Sequence, residues 1–148
     1  MLAANVIITE IMYHPQSEDT RDEFIEIYNA EPTAVDLSGW KFSDGIDFTF
    51  PLGKILGPNQ YLVIAADTSR FEVNHPSVGN FIGDWSGALS NGGESIVLED
   101  ASGDNASSFT YADEGDWAQR RDLNNFSGYD GWAWVATHDG AGKSLELI

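Results

Sequence analysis

The stretch Glu23-Phe24-Ile25-Glu26-Ile27-Tyr28-Asn29, followed closely by Asp36-Leu37-Ser38-Gly39-Trp40, decides how this chain folds. Successive side chains of an extended segment point to opposite faces, so Ile25 and Ile27 share one face while Phe24, Glu26 and Tyr28 share the other. Apolar groups on both faces predict a central strand. Between the two stretches, Ala30-Glu31-Pro32-Thr33 reads as a turn, because Pro32 has no N–H to give to a ladder. Val35, Leu37 and Trp40 then return to the same core. Glu26, flanked by Phe24 and Tyr28, reads as structural, its carboxylate bonded to a backbone or indole N–H, since a carboxylate withdrawn from water is costly unless hydrogen bonded.

Upstream, Asn5 to Tyr13 alternates Val6, Ile8 and Met12 against Ile7, Thr9, Ile11 and Tyr13, which predicts a first strand that ends at His14-Pro15. Downstream, Trp40 to Ser43 turns at Asp44-Gly45, a hairpin signal, into Asp47-Phe48-Thr49-Phe50, with Phe48 and Phe50 on one face. After the turn Gly57-Pro58-Asn59, the run Gln60 to Ala66 is again apolar on both faces and predicts a second central strand. From Asp67 to Gly93 the pattern is irregular. Asp67 or Thr68 would cap a short helix there, and an insertion of this length covers a sheet edge or an open end. Ser95 to Glu99 and Ser107 to Tyr111 flank a hairpin at Ala101-Ser102-Gly103-Asp104, and Ser144 to Ile148 reads as a closing strand with Leu145 and Leu147 inward. No stretch beyond about two helical turns keeps a 3.6-residue apolar period, so the fold class is all-β, and a sandwich by the spacing of its strands and turns.

Several of these tracts, in this order, resemble a known family. They are Val6 to Tyr13, Glu23 to Asn29, Val35 to Trp40, Phe42-Ser43-Asp44-Gly45, Leu56-Gly57-Pro58, Tyr61 to Ala65, Leu89 to Leu98, and Gly142 to Leu147. The chain is similar to the lamin tail domain, an immunoglobulin-like β-sandwich found at the ends of nuclear lamins and in many bacterial multidomain proteins. The resemblance implies an immunoglobulin-like β-sandwich with long covering loops. It also implies a non-catalytic interaction, adhesion or structural module of a larger exported bacterial protein, placed outside the cell or on its surface. A nuclear role does not carry over, because the chain has no coiled-coil heptads, no prenylation tail and no basic surface for chromatin.

A length of 148 residues suits one domain over 1–148, expected to be a piece of a longer multidomain protein. The formal charge of −17 comes from 24 acidic against 7 basic side chains, and such a surface repels phosphates and anionic headgroups. Nucleic acid is therefore excluded as a partner, and the absence of a long apolar run argues against direct membrane insertion. A protein partner or a polysaccharide is expected instead. With no cysteine there is no disulfide framework and no thiolate chemistry.

Catalysis finds little support. There is no nucleophile elbow, and His14, His75 and His138 are isolated in sequence, with His14 at a strand end and His138 in a loop read as solvated. Two features carry a functional reading. The first is the acidic loop Asp113-Glu114-Gly115-Asp116 with Asp100 and Asp104 on a nearby hairpin, because hard oxygen ligands suit calcium. The simpler reading is a solvated acidic rim. The second is the set Trp117, Trp132 and Trp134, with Arg120 between them, as a stacking surface for sugar or protein. The simpler reading has these indoles sealing one end of the sandwich. No cofactor is required, and calcium is the one candidate. The alternatives to a non-enzymatic module are therefore a calcium-dependent carbohydrate-binding module and, more distantly, a metal-dependent hydrolase.

Overall fold

The computed structural model describes residues 5–113, 119–124, 130–135 and 137–146, the second and third of these segments by backbone alone. In chain order its strands are β1 (Val6–Met12), β2 (Phe24–Asn29), β3 (Val35–Asp36), β4 (Lys41–Asp44), β5 (Phe48–Thr49), β6 (Ile55–Leu56) and β7 (Tyr61–Ala65). After the helix α1 (Thr68–Asn74) come β8 (Phe81–Gly83), β9 (Glu94–Glu99), β10 (Asn105–Tyr111), β11 (Gln119–Asn124), β12 (Asp130–Val135) and β13 (Leu145–Glu146). The doubly apolar β2 and β7 sit inside a five-stranded sheet ordered β13-β1-β2-β7-β8, and a four-stranded sheet ordered β10-β9-β4-β5 faces it. Pairing is antiparallel except where β8 runs parallel to β7.

Between the sheets lie Ile25 and Ile27 of β2, Leu62 and Ile64 of β7, Phe42 of β4, and Ile96 and Leu98 of β9. Trp40, Val35 and Leu37 close onto the same core. The Asp44-Gly45 hairpin forms as its sequence predicts, pairing Phe42 with Phe48. Gly45 takes φ +90°, a left-handed conformation that a side chain would strain. Phe48 and Phe50 then meet edge to face at 5.1 Å.

Strand β1 departs from plain alternation. Ile8 pairs with Ile27 but Glu10 pairs with Glu26, so Thr9 is an extra residue, a β-bulge. The extra residue inverts the phase of everything after it. Val6, Ile8, Ile11 and Tyr13 are the buried set, and Met12 faces away from Val6 and Ile8 instead of joining them.

Among the described residues, the outer face of the five-stranded sheet is covered at one end only. Helix α1 starts where predicted, with Asp67 Oδ1 accepting from Arg70 N at 3.0 Å. Its Phe71 ring meets Phe24 at 5.6 Å and Phe81 at 5.2 Å, forming a second small core with Val63 and Ala65. A bidentate pair from Arg70 to Asp22, at 2.8 and 2.7 Å, fastens the helix to the segment before β2. The insertion after Asp67 thus adds β8 to the sheet edge and lays α1 over half of a face. At the chain's other end, Leu145 pairs with Ile11 as the expected closing strand, while Leu147 lies outside the described residues.

Asn29, at the end of β2, is fully buried and locks the turn that follows. Its Nδ2 donates to Thr33 O, Leu56 O and Gly57 O at 2.9, 3.1 and 3.0 Å, and its Oδ1 accepts from Glu31 N at 2.9 Å. Replacing it by alanine leaves buried carbonyls unpaired, a loss of about 2–3 kcal/mol. Aspartate, though the same size, turns a carboxylate oxygen toward those carbonyls. Chemical denaturation should therefore rank Asn29→Asp at least as destabilising as Asn29→Ala. An aspartate variant as stable as the parent would mean that these donors contribute nothing.

Candidate functional site

Two polar regions stand out, one on the uncovered half of the outer sheet face and one at an end of the sandwich. On the sheet face, register builds two rows across neighbouring strands. Ile7, Tyr28 and Tyr61 form the first, and Glu146, Glu10 and Glu26 the second. The Tyr28 and Tyr61 rings lie 4.5 Å apart, and Tyr61 is 53% exposed. Tyr28 is steadied by its hydroxyl, which donates to Asn59 Oδ1 at 3.1 Å. Thr9 Oγ1 donates to Glu26 Oε1 at 2.8 Å, so the bulge residue supplies the hydrogen bond that this half-buried carboxylate needs. The donor is thus a hydroxyl, not the backbone or indole nitrogen suggested by the strand pattern. Burial raises the Glu26 pKa, the Thr9 bond opposes the rise, and the charges of Glu10 and Glu146 add to it. Ser144 Oγ donates to Glu10 Oε1 at 2.5 Å and ties β13 to the same row. Thr9, Glu10, Glu26, Tyr61 and Glu146 together line a shallow, open depression.

The second region corrects the reading of the histidines as isolated and solvated. His138 is buried, and its Nδ1 shares a 2.7 Å hydrogen bond with Tyr13 Oη. His14 Nδ1 bonds to Asp139, and its Nε2 lies 3.1 Å from Glu18 Oε2. The hydrogen bond to Asp139 is the main cause that raises the His14 pKa. Residues 125 positions apart in sequence meet here, because β13 returns the chain to β1. The Tyr13 ring packs, tilted, 4.5 Å from that of Tyr111, whose hydroxyl donates to Ser90 O at 2.7 Å and to Glu94 Oε1 at 3.1 Å. Burial raises both tyrosine pKa values.

Beside them lies Glu23, 1% exposed, with Oε2 accepting from Leu89 N at 2.8 Å and Oε1 left without a partner. Desolvation is the largest cause that pushes its pKa up to about 7, and the charge of Glu94 adds to it. Sequence reasoning passed over this residue, although the signal was present: a two-residue period from Ile27 and Ile25 places Glu23 on the inward face. Trp85 Nε1 is likewise buried without a hydrogen-bond partner.

Of the residues singled out as metal ligands, the described ones, Asp100, Asp104 and Asp113, are not all drawn together. Asp100 and Asp104 sit in the β9–β10 turn, where Asp100 Oδ1 accepts from Ser102 N and Asp104 N at 2.8 and 3.0 Å and so closes the hairpin. Asp113 follows the far end of β10, roughly 20 Å away at about 3.3 Å per strand residue. Its charge instead acts on Tyr13. Glu114, Asp116 and Trp117 lie outside the described residues. Arg120 is placed in β11, opposite Trp134 of β12, which also holds Trp132; their side chains are likewise outside the described residues. Among the described residues, no three His, Asp or Glu side chains are arranged to hold a metal ion.

The buried end makes stability depend on pH with a definite sign. Glu23 holds its proton more tightly folded than unfolded, so stability falls as pH rises from about 4.5 to about 7. For His14, raised by Asp139, stabilisation is complete below about 6.5 and is lost above its folded pKa. Both act in one direction. The Glu23 contribution amounts to roughly 3 kcal/mol at about 1.4 kcal/mol per pKa unit. Glu23→Gln mimics the protonated acid, so thermal melts should show it more stable than the parent at pH 8 and little changed at pH 4.5. Identical pH slopes for parent and variant would contradict this assignment.

Comparison with protein families bears on this geometry at the level of the fold. The family model described as Lamin Tail Domain matches residues 2–113, which run from the first strand through β10. No curated protein matches the chain. The match covers well over half of the sequence and takes in every strand of the two facing sheets but β13, so the chain belongs to the lamin tail domain family, a family of immunoglobulin-like β-sandwich modules.

Proposed function

We propose that this domain is a non-catalytic interaction module of a larger exported bacterial protein, working outside the cell or on its surface. We place its docking surface on the uncovered half of the outer sheet face. The observation that carries the reading is the unequal cover of that face. Over Phe24, Val63 and Ala65 the sheet is closed by α1. Over Ile7, Tyr28 and Tyr61 no described segment lies on it, and a pair of touching, mutually tilted aromatic rings faces outward with Tyr61 half exposed.

Tyrosines held rigidly in this way favour association, since their large apolar area is offered with little side-chain entropy left to lose. The Asn59 hydrogen bond and the ring contact have already restricted Tyr28. A rigid sheet beneath positions both rings better than a loop would. The second polar region suits a structural role instead, because Tyr13, His138, Glu23 and Tyr111 are buried and pinned to one another or to backbone. The placement outside a bacterial cell draws on the family's bacterial members.

A photo-crosslinking residue placed at Tyr61 in the producing cell should yield a discrete covalent adduct. The same residue at Leu52, 90% exposed in the β5–β6 loop, should not. Equal labelling at both positions, or none at Tyr61, would remove this face as the docking surface.

A further inference from the structure

We infer that the partner docking on the uncovered sheet face presents lysine or arginine side chains, set beside an aliphatic or planar group that lies on the Tyr28–Tyr61 pair. This inference rests on the docking reading above and adds the chemistry of the partner. Three independent features of the face lead to it.

The first is position. Glu10 of β1 stands between Glu146 of β13 and Glu26 of β2, with its Cβ atom about 5 Å from that of each neighbour. Like charges directly opposite one another on a sheet repel, and this row keeps that repulsion within the folded domain. The second is the lack of a neutralising partner. The ion pairs among the described residues join Lys41 to Glu99, Arg21 to Asp19, Arg70 to Asp19 and Asp22, and His14 to Glu18 and Asp139. None reaches the row. Thr9 and Ser144 each donate one hydrogen bond to it, and these leave its charge in place.

The third is the adjoining row of Ile7, Tyr28 and Tyr61. An aromatic face next to carboxylates suits a guanidinium or ammonium better than it suits an anion or a plain apolar chain. The cation pairs with the carboxylates while its aliphatic stem, or the guanidinium plane, lies on the ring. A neutral polysaccharide would use the tyrosines and leave the acidic row uncompensated. The charge therefore favours a basic protein segment. At a net −17 the whole domain attracts cations, and what this face adds is a fixed place for them.

The test is a titration of the isotopically labelled 148-residue chain, followed by nuclear magnetic resonance. The probes are a synthetic nonapeptide alternating lysine and valine, its glutamate counterpart, and a neutral cello-oligosaccharide. The lysine peptide should move the resonances of Glu10, Glu26, Tyr28, Tyr61 and Glu146, and the glutamate peptide should move none of them. The triple variant Glu10→Gln, Glu26→Gln, Glu146→Gln should bind the lysine peptide about tenfold more weakly, as expected for three partly exposed pairs. A control triple with the same charge change at exposed positions, Asp47→Asn, Glu72→Gln, Asp104→Asn, should stay within about twofold of the parent.

Should the first triple fail to fold, the double variant Glu10→Gln, Glu146→Gln leaves the Thr9–Glu26 bond in place and carries the same comparison. Equal weakening by the control triple would reduce the effect to general attraction and overturn the inference. So would shifts centred on another face, or shifts at the tyrosines with the oligosaccharide and not with the lysine peptide. A Tyr61 adduct to a partner without a basic segment would leave the docking reading standing and remove only the cationic chemistry.

Discussion

Strand β2 has to be buried on both of its faces, and the rest of the domain is arranged to do it. On the inner side Ile25 and Ile27 meet Phe42, Ile96 and Leu98 of the facing sheet across one continuous core. On the outer side Phe24 is covered by Phe71 of α1, which the Asp67 cap starts and the Arg70–Asp22 pair holds down. A helix of seven residues rises only about 10 Å at about 1.5 Å per residue, shorter than the strands it lies on. One half of the outer face is therefore left to Ile7, Tyr28, Tyr61 and the carboxylate row.

The bulge at Thr9 links the two sides of that arrangement. By inserting one residue it turns Ile11 and Tyr13 into the core and Glu10 outward beside Glu26. Without it, plain alternation would carry Glu10 and Met12 inward with Val6 and Ile8. The same residue then donates the hydrogen bond that keeps Glu26 satisfied. Tyr13, brought inward by the shift, becomes the anchor at which His138 and Tyr111 join the first and last parts of the chain. One local irregularity thus shapes both the outward-facing surface and the buried polar end. The buried end holds segments together, and the half of the outer face that no described segment covers is the proposed docking surface.

Much of the sandwich was legible because its signals are local and periodic. The doubly apolar β2 and β7, the Asp44-Gly45 hairpin, the Asp67 cap and the return of Trp40 to the core all follow from neighbouring residues. The bulge was not legible, since Thr9 is compatible with either phase and only pairing with β2 reveals the extra residue. Glu23 was legible by period, but its charge argued for the surface and concealed its inward phase. The meeting of His14 with Asp139, and of Tyr13 with His138, depends on which strand closes the sheet, and no local pattern encodes that. For the acids proposed as ligands the local signal is weak. In a chain with 24 acidic side chains, nearness in sequence says little, and β10 holds Asp104 and Asp113 at opposite ends.

In the proposed docking mode, half of the outer sheet face stays open in the domain alone and is covered in use. Hydroxyl-radical footprinting of side chains reads this directly, comparing the isolated chain with the domain in its native setting. Tyr61, and to a lesser degree Tyr28, should be oxidised in the isolated chain and protected in the native setting. Leu52, on the β5–β6 loop, should be oxidised in both. Equal oxidation of Tyr61 in the two settings would contradict the claim, as would protection of Tyr61 in the isolated chain.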